Sequence, residues 1–210
     1  MNRAISSLEE LLIEVKNLLT RSERRIIVGI VGEPGAGKST VTDFIFQNLE
    51  NESAALLPMD GFHYSNQVLK RLGRTDRKGA PDTFDASGFT ALLSRIKSEP
   101  HVDIYFPIFH RDIEESIAAE GVIPAGTKLI ITEGNYLLLQ SNGFAGIKPL
   151  LDESWYLQID SQLRQSRLIE RHQRFGKDPA AAKAWALGSD EQNGVIIRES
   201  APEASRIIAL

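Results

Sequence analysis

The chain contains no cysteine. Disulfides and thiolate metal sites are therefore excluded, and a reducing cytoplasm is the expected compartment. No apolar run approaches the ~20 residues needed to cross a bilayer, so membrane insertion is not expected. Glu9, Glu10 and Glu14 fall within the first twenty residues, which argues against a secretory leader. A basic excess is also missing. The formal charge of −4 offers no footprint for nucleic acid. There is no internal repeat and no low-complexity tract, and 210 residues suit one domain with an attached lid. That length suffices for a sizeable core. No N-K-x-D guanine-reading segment occurs. The short D-x-x-G match at Asp85–Gly88 therefore carries no GTPase reading, and Ser87 is expected to cap a helix instead.

What the chain does have is concentrated in IIVGIVGEPGAGKST, residues 26–40. The first six residues are almost all apolar and mostly β-branched, the pattern of a strand buried on both faces. Gly32, Glu33, Pro34, Gly35, Ala36, Gly37, Lys38 and Ser39 then satisfy G-x-x-x-x-G-K-[ST] at every fixed position, and Thr40 follows. Val41, Phe44, Ile45 and Leu49 continue at helical spacing. Glycines let the backbone N–H groups reach an anion without a Cβ in the way. The positive end of the following helix faces the same point. Lys38 supplies a point charge for the outer phosphates and Ser39 a hydroxyl for Mg²⁺. Strand, loop and helix together point to a nucleoside triphosphate.

Residues 4–20 read as an amphipathic helix, with Ile5, Leu8, Leu11, Leu12, Val15, Leu18 and Leu19 on one stripe. That stripe is expected to pack on the sheet edge, with a homodimer contact as its alternative use. Residues 54–59 read as a second strand ending in Asp60-Gly61-Phe62-His63-Tyr64. Ligands bind beyond the carboxyl ends of parallel strands, so Asp60 is well sited for chemistry. Short helices are expected at 68–72 and 89–96, around a long polar loop. Residues 101–111 suggest a strand or hairpin outside the main sheet, with His110 and Arg111 at its end. Residues 128–134 form another buried strand and end in Glu133, where P-loop enzymes place a carboxylate for Mg²⁺ or its water. Residues 155–160 and 205–209 are the remaining strands, and Ala180–Ala182 begin a short Ala-rich helix. Between those strands Arg164, Arg167, Arg171 and Arg174 recur at spacings of 3, 4 and 3, one face of a helix. Four guanidiniums on one stripe repel each other unless phosphates bind among them, which suggests a closing lid over about residues 161–178.

The order of these segments resembles the uridine kinase, phosphoribulokinase and type I pantothenate kinase superfamily. It runs phosphate loop, Met-Asp-Gly-Phe-His-Tyr, Ala-Pro-Asp-Thr-Phe-Asp, Thr-Glu-Gly-Asn-Tyr and Arg-rich lid. It looks most like short bacterial fructokinase-like proteins described as fructose-transport-system kinases. Asp-Arg-Lys-Gly-Ala-Pro-Asp and the stretch Trp185 to Asn193 look particular to that subgroup. The resemblance implies ATP and Mg²⁺, with Lys38 and Ser39 on the phosphates and metal and Glu133 near the metal. It implies that Asp60 takes the proton of the acceptor hydroxyl, that Asp85 binds substrate hydroxyls, and that Arg164 and Arg167 neutralise the transferring phosphate. Tyr64, His110 and Arg111 lie where the superfamily builds its acceptor pocket. The segment between hairpin and acid differs from that of the uridine kinases, so their base-contacting residues do not transfer, and the extra substrate region of the pantothenate kinases is absent.

The expected fold is an α/β P-loop NTPase three-layer domain spanning 1–210, with an N-terminal helix at 1–22. Its mostly parallel five-stranded sheet takes the family order 2-3-1-4-5. The expected activity is transfer of the γ-phosphoryl group of ATP to a hydroxyl of a small metabolite, such as a sugar like fructose. Nucleoside or pantothenate phosphorylation, a slow ATPase and a non-catalytic ATP-binding regulator of a transport system are the alternatives.

Overall fold

The apolar run before the glycine loop becomes the central strand of a parallel sheet. A computed structural model describes residues 4–49 and 54–210. In chain order its elements are α1 (Leu8–Arg21), β1 (Ile26–Val31), α2 (Lys38–Asn48), β2 (Ala54–Pro58), α3 (Asn66–Leu72), α4 (Ala86–Ser98), β3 (Ile104–His110), β4 (Glu115–Ile123), β5 (Leu129–Gly134), β6 (Glu153–Gln158), α5 (Ser161–Arg174), α6 (Pro179–Leu187), α7 (Ser189–Glu199) and β7 (Arg206–Ala209). The large sheet runs β2-β5-β1-β6-β7, every neighbouring pair parallel. Counted without the separate β3–β4 pair, this is the expected order 2-3-1-4-5.

The strand period of two divides the core between the sheet's faces. Ile26, Val28 and Ile30 join Leu11 and Val15 of α1 and Val41 and Ile45 of α2. Ile27 and Val31 join Phe89, Leu93 and Ile96 of α4 on the other side. All six residues of β1 are buried, as an apolar strand covered on both faces must be. Each large aliphatic side chain buried in this way contributes about 1.5–3 kcal/mol. Among the described residues, no helix is long and apolar enough to cross a membrane.

Several local expectations are corrected. The first helix begins at Leu8, not at residue 4, because the Ser7 hydroxyl accepts from the Glu10 N–H (3.1 Å) and caps it. Ile5 instead bridges in parallel to Ile208, beside the edge strand β7. Residues 1–3 of the expected N-terminal helix lie outside the described residues. The second strand stops at Pro58, and Met59–Phe62 form a 3₁₀ turn. Ser87 is not a cap. Asp85 caps α4 by accepting from the Gly88 N–H (2.8 Å), which places Ser87 inside the first turn. Two further helices, α6 and α7, follow α5.

The segment at 101–111 is one arm of the antiparallel hairpin β3–β4, outside the main sheet. Its register shifts between Phe106 and Ile108, at Pro107, which has no N–H to give a ladder. A Cβ at Gly61 would collide with the Pro107 carbonyl. Glycine at 61 therefore allows the hairpin to sit directly on the turn that carries Asp60.

Arg25, buried just before β1, ties three segments together. Its guanidinium donates to the carbonyls of Thr127 (2.8 Å), Ile96 (2.8 Å) and Pro100 (3.1 Å). Arg25→Ala strands those carbonyls, and a loss of about 3 kcal/mol is expected. For a domain of this size that is a fall in Tm of roughly 6–12 °C. Thermal denaturation of the variant checks it; an unchanged Tm would show that water replaces the guanidinium without loss.

Candidate active site

The loop between β1 and α2 has the backbone that its glycines permit. Gly35 and Gly37 adopt φ of 81° and 95°, where a side chain would be strained. Gly37 is the N-cap of α2 and provides no side-chain cap. The first N–H groups of α2 are thus left for an anion, and the helix dipole favours one there. Lys38 reaches back over the loop. Its Nζ donates to Gly32 O (2.9 Å), Glu33 O (3.3 Å) and Asn135 Oδ1 (2.7 Å). Burial lowers the Lys38 pKa, and the nearby Glu133 and Asp60 carboxylates oppose that shift.

Asp60 stands at the carboxyl end of β2, facing the loop across one cleft of about 590 Å³. Arg111 holds its Oδ2 at 2.8 Å. Burial pushes the Asp60 carboxyl up, but the combined charges of His63, Arg111, Lys38 and Arg171 outweigh it. The carboxyl is held below its usual range. Glu133 shifts the opposite way, because burial and the Asp60 charge raise it more than Lys38 lowers it. Two neighbouring carboxyls with pKa values pushed apart are suited to different roles.

The hairpin turn that carries Arg111 is clamped. Glu114 adopts a φ of 54°, and its carbonyl accepts from Lys78 Nζ and from Asn66 Nδ2 (3.1 Å). The Asn66 N–H also donates to Glu115 Oε1 (2.9 Å). His63 stacks between Phe84 and Phe109, with ring centroids 3.9 and 4.7 Å away.

Most expected site residues meet in this cleft. Pro34, Gly35, Gly37, Lys38, Ser39, Thr40, Asp60, Arg111, Glu133 and Arg167 all line it. Gly32, Glu33 and Ala36 are buried within the loop rather than on the cleft wall. The others are placed elsewhere. Asp85 is exposed and occupied as the cap of α4. Tyr64 is not on the wall, and its N–H is bonded to Thr83 O (2.9 Å). His110 points to Glu120 (2.6 Å) on the hairpin, and that bond raises its pKa.

Arg164 is the largest departure. It is fully buried, with its Nε 3.2 Å from Glu33 Oε2 and its Nη2 on Glu191. Arg198 of α7 completes the group, binding Glu33 through Nη2 (2.7 Å) and Nε (3.1 Å). A Cβ at Gly35 would press within 2.8 Å of Leu168 and 2.9 Å of Arg164 O, so α5 lies directly on the loop. Arg167 reaches toward Gly37, while Arg171 is within the fields of Arg111, Asp190, Asp60 and Glu133. Arg171 stood on the expected stripe without a role assigned to it, and Asn135 stood two residues past Glu133 in the Thr-Glu-Gly-Asn-Tyr motif. His63 was in view in Asp-Gly-Phe-His, yet only stacking reveals its position.

A triphosphate fits this cradle, on the evidence of the uncapped helix end, the left-handed glycines and Lys38. Among the described residues no group of three or more His, Cys, Asp or Glu could cage a metal. In nucleotide sites Mg²⁺ binds through one or two protein oxygens plus phosphates and water. Ser39 and Glu133 both line the cleft and carry oxygens of that kind.

The sequence profile of the Phosphoribulokinase / Uridine kinase family matches residues 27–182. A Schizosaccharomyces pombe protein named "Putative uridine kinase C227.14" is 31% identical over 200 residues, covering 91% of this chain and 84% of its own. A pantothenate kinase of Limosilactobacillus reuteri is 33% identical over 168 residues, or 76% of this chain and 53% of its own. The crystal structure of a "putative fructose transport system kinase" from Silicibacter sp. TM1040 superposes with a TM-score of 0.85 at 32% identity, covering 96% of this chain and 98% of that one. With the profile, the relatives and the phosphate cradle in agreement, the chain belongs to the phosphoribulokinase/uridine kinase family of P-loop kinases and is a phosphotransferase acting on a hydroxyl acceptor.

Proposed function

We propose that the chain transfers the γ-phosphoryl group of ATP to a hydroxyl of a small polar metabolite, a sugar being the favoured class, with Asp60 as general base. The observation that carries this reading is the pairing of Asp60 with the phosphate loop across one cleft. A pure ATP sensor needs no ionised carboxylate opposite its phosphate site.

The roles follow from charge and position. Backbone N–H groups at the start of α2 and Lys38 hold the phosphate chain. Mg²⁺, when bound by Ser39 and Glu133, screens the charge of the outer phosphates. Arg111 holds one Asp60 oxygen and leaves the other to accept the hydroxyl proton as the oxygen–phosphorus bond forms. Arg167 and Arg171 face the transferring group and stabilise its charge, with α5 excluding water that would compete as acceptor. Arg164 holds α5 on the loop and is a positioning residue.

Lys38→Ala is expected to abolish turnover while the circular dichroism spectrum stays native. Asp60→Asn should bind ATP normally and lose turnover by ~10²-fold or more; a loss of only a few-fold would remove it as the base. Because the folded Asp60 pKa is depressed, its ionised form persists to below the ordinary carboxylate range of about 4. At saturating Mg·ATP, kcat should therefore stay level from neutral pH down to that range and fall as Asp60 takes up its proton. Arg111→Met should move this acid limb upward in pH.

The two arginine roles separate in one experiment. Arg171→Ala should keep a native Tm and lose at least ~10²-fold in kcat. Arg164→Ala leaves Glu33 with one guanidinium in place of two, and about 1.5–3 kcal/mol of stability should go with it. The opposite pattern in paired melting and kinetic measurements would reverse the assignment.

A further inference from the structure

The family profile ends at residue 182, but the cleft wall continues beyond it. Asp190 and Asn193 of α7 both line the cleft, and both are buried (9% and 6% exposed). Three residues apart, they share one face of the helix. Asp190 places Oδ2 2.6 Å from His172 Nε2. Neither its second oxygen nor the Asn193 amide forms a hydrogen bond among the described residues, yet neither is sealed from the cleft. An enclosed amide and carboxylate oxygen without partners are costly unless a ligand or water completes them.

The charges around them indicate what that ligand is. At the acceptor end several polar side chains already have partners within the chain. Arg111 holds Asp60 (2.8 Å), and Lys78 lies on Asn66 Oδ1 (2.7 Å) and 3.5 Å from Glu114. His172 is on Asp190, and Lys177 lies 4.5 Å above the Trp185 ring. Arg167 lies toward Gly37 of the phosphate loop, and Arg171 lies in the fields of Arg111, Asp190, Asp60 and Glu133. An acceptor carboxylate set against these two groups would face the Asp190 charge. A hydroxyl suits both groups, donating to the Asp190 oxygen and either donating to or accepting from the Asn193 amide. Asp85, the acid that the family resemblance offered for this task, is occupied as the cap of α4.

We propose that Asp190 and Asn193 form the subsite that reads a second hydroxyl of the acceptor, and that the acceptor is an uncharged polyhydroxylated small molecule. The inference rests on the kinase reading above. It adds a selecting element contributed by α7, beyond the segment matched by the family profile.

The test uses the full chain with Mg²⁺ and a non-hydrolysable ATP analogue. Thermal shifts are compared for D-fructose, D-ribose and D-sorbitol against the hydroxyacids D-glycerate and pantothenate. A polyol should raise Tm beyond the analogue alone by mass action, and the hydroxyacids should not. Asp190→Asn and Asn193→Ala should lose the polyol increment and keep the analogue's own. For the polyol that stimulates ADP release, either variant should raise acceptor KM on the order of 10- to 100-fold. Both kcat and the KM for ATP should stay within a few-fold. The wild-type chain should discriminate against a deoxy analogue lacking the hydroxyl that is read, and Asp190→Asn should not. A response confined to hydroxyacids, no response to any polyol, or an increment unchanged in both variants would overturn the proposal. So would parallel changes in kcat and ATP KM, which would make the pair a lid contact. A wild-type chain indifferent to every deoxy analogue overturns it without any variant. If the wild-type chain did not respond to the ATP analogue alone, the kinase reading would fail first, and the subsite with it.

Discussion

A buried carboxylate inside the phosphate loop governs the arrangement of the C-terminal third of the chain. Glu33 occupies a variable position of the loop motif and is 6% exposed. An isolated charge at that depth would be strongly penalised. Arg164 from α5 and Arg198 from α7 neutralise it, and the Tyr156 hydroxyl lies 3.3 Å away. One residue thereby binds α5 and α7 to the glycine loop. Glu191 joins both arginines, and its own pKa falls because their bonds outweigh the effect of burial.

This network explains how four arginines on one helical face divide their work. An α-helix advances 100° per residue, so a stripe spaced 3, 4 and 3 is continuous but still spread along the axis. Only its N-terminal end overlies the loop. Arg164 is consumed there, and the cleft receives Arg167 and Arg171, one and two turns further on. Arg174, at the far end, is exposed and off the cleft wall. The charges that face the cleft are thus chosen by where α5 touches the loop.

The acceptor side is assembled from distant segments by the same logic of satisfied polar groups. The β3–β4 turn brings Arg111 to Asp60 because Gly61 permits close approach of Pro107 and because Lys78 and Asn66 hold the Glu114 carbonyl. Asp60 then keeps a charge that burial alone would remove. Glu133, a few residues along the neighbouring strand, lacks a direct cationic partner of that kind and is pushed the other way.

Local chemistry in the sequence was enough to set the strand–loop–helix at residues 26–48, the acids at the strand ends and the arginine stripe. In these cases the information is periodic or carried by glycine, and does not depend on what packs against it. The helix ends at Ser7 and Asp85 were less legible, because several Ser and Asp residues compete for one cap and only backbone geometry selects among them. Tertiary structure alone decided that Arg164 and Glu33 pair with each other, that Arg171 enters the cleft, and that α7 supplies Asp190 and Asn193 to its wall. Those outcomes depend on which buried charges meet across 27 to 165 residues of intervening chain. No local pattern encodes such meetings, since the cost of burying a charge exists only once the surrounding elements have closed over it.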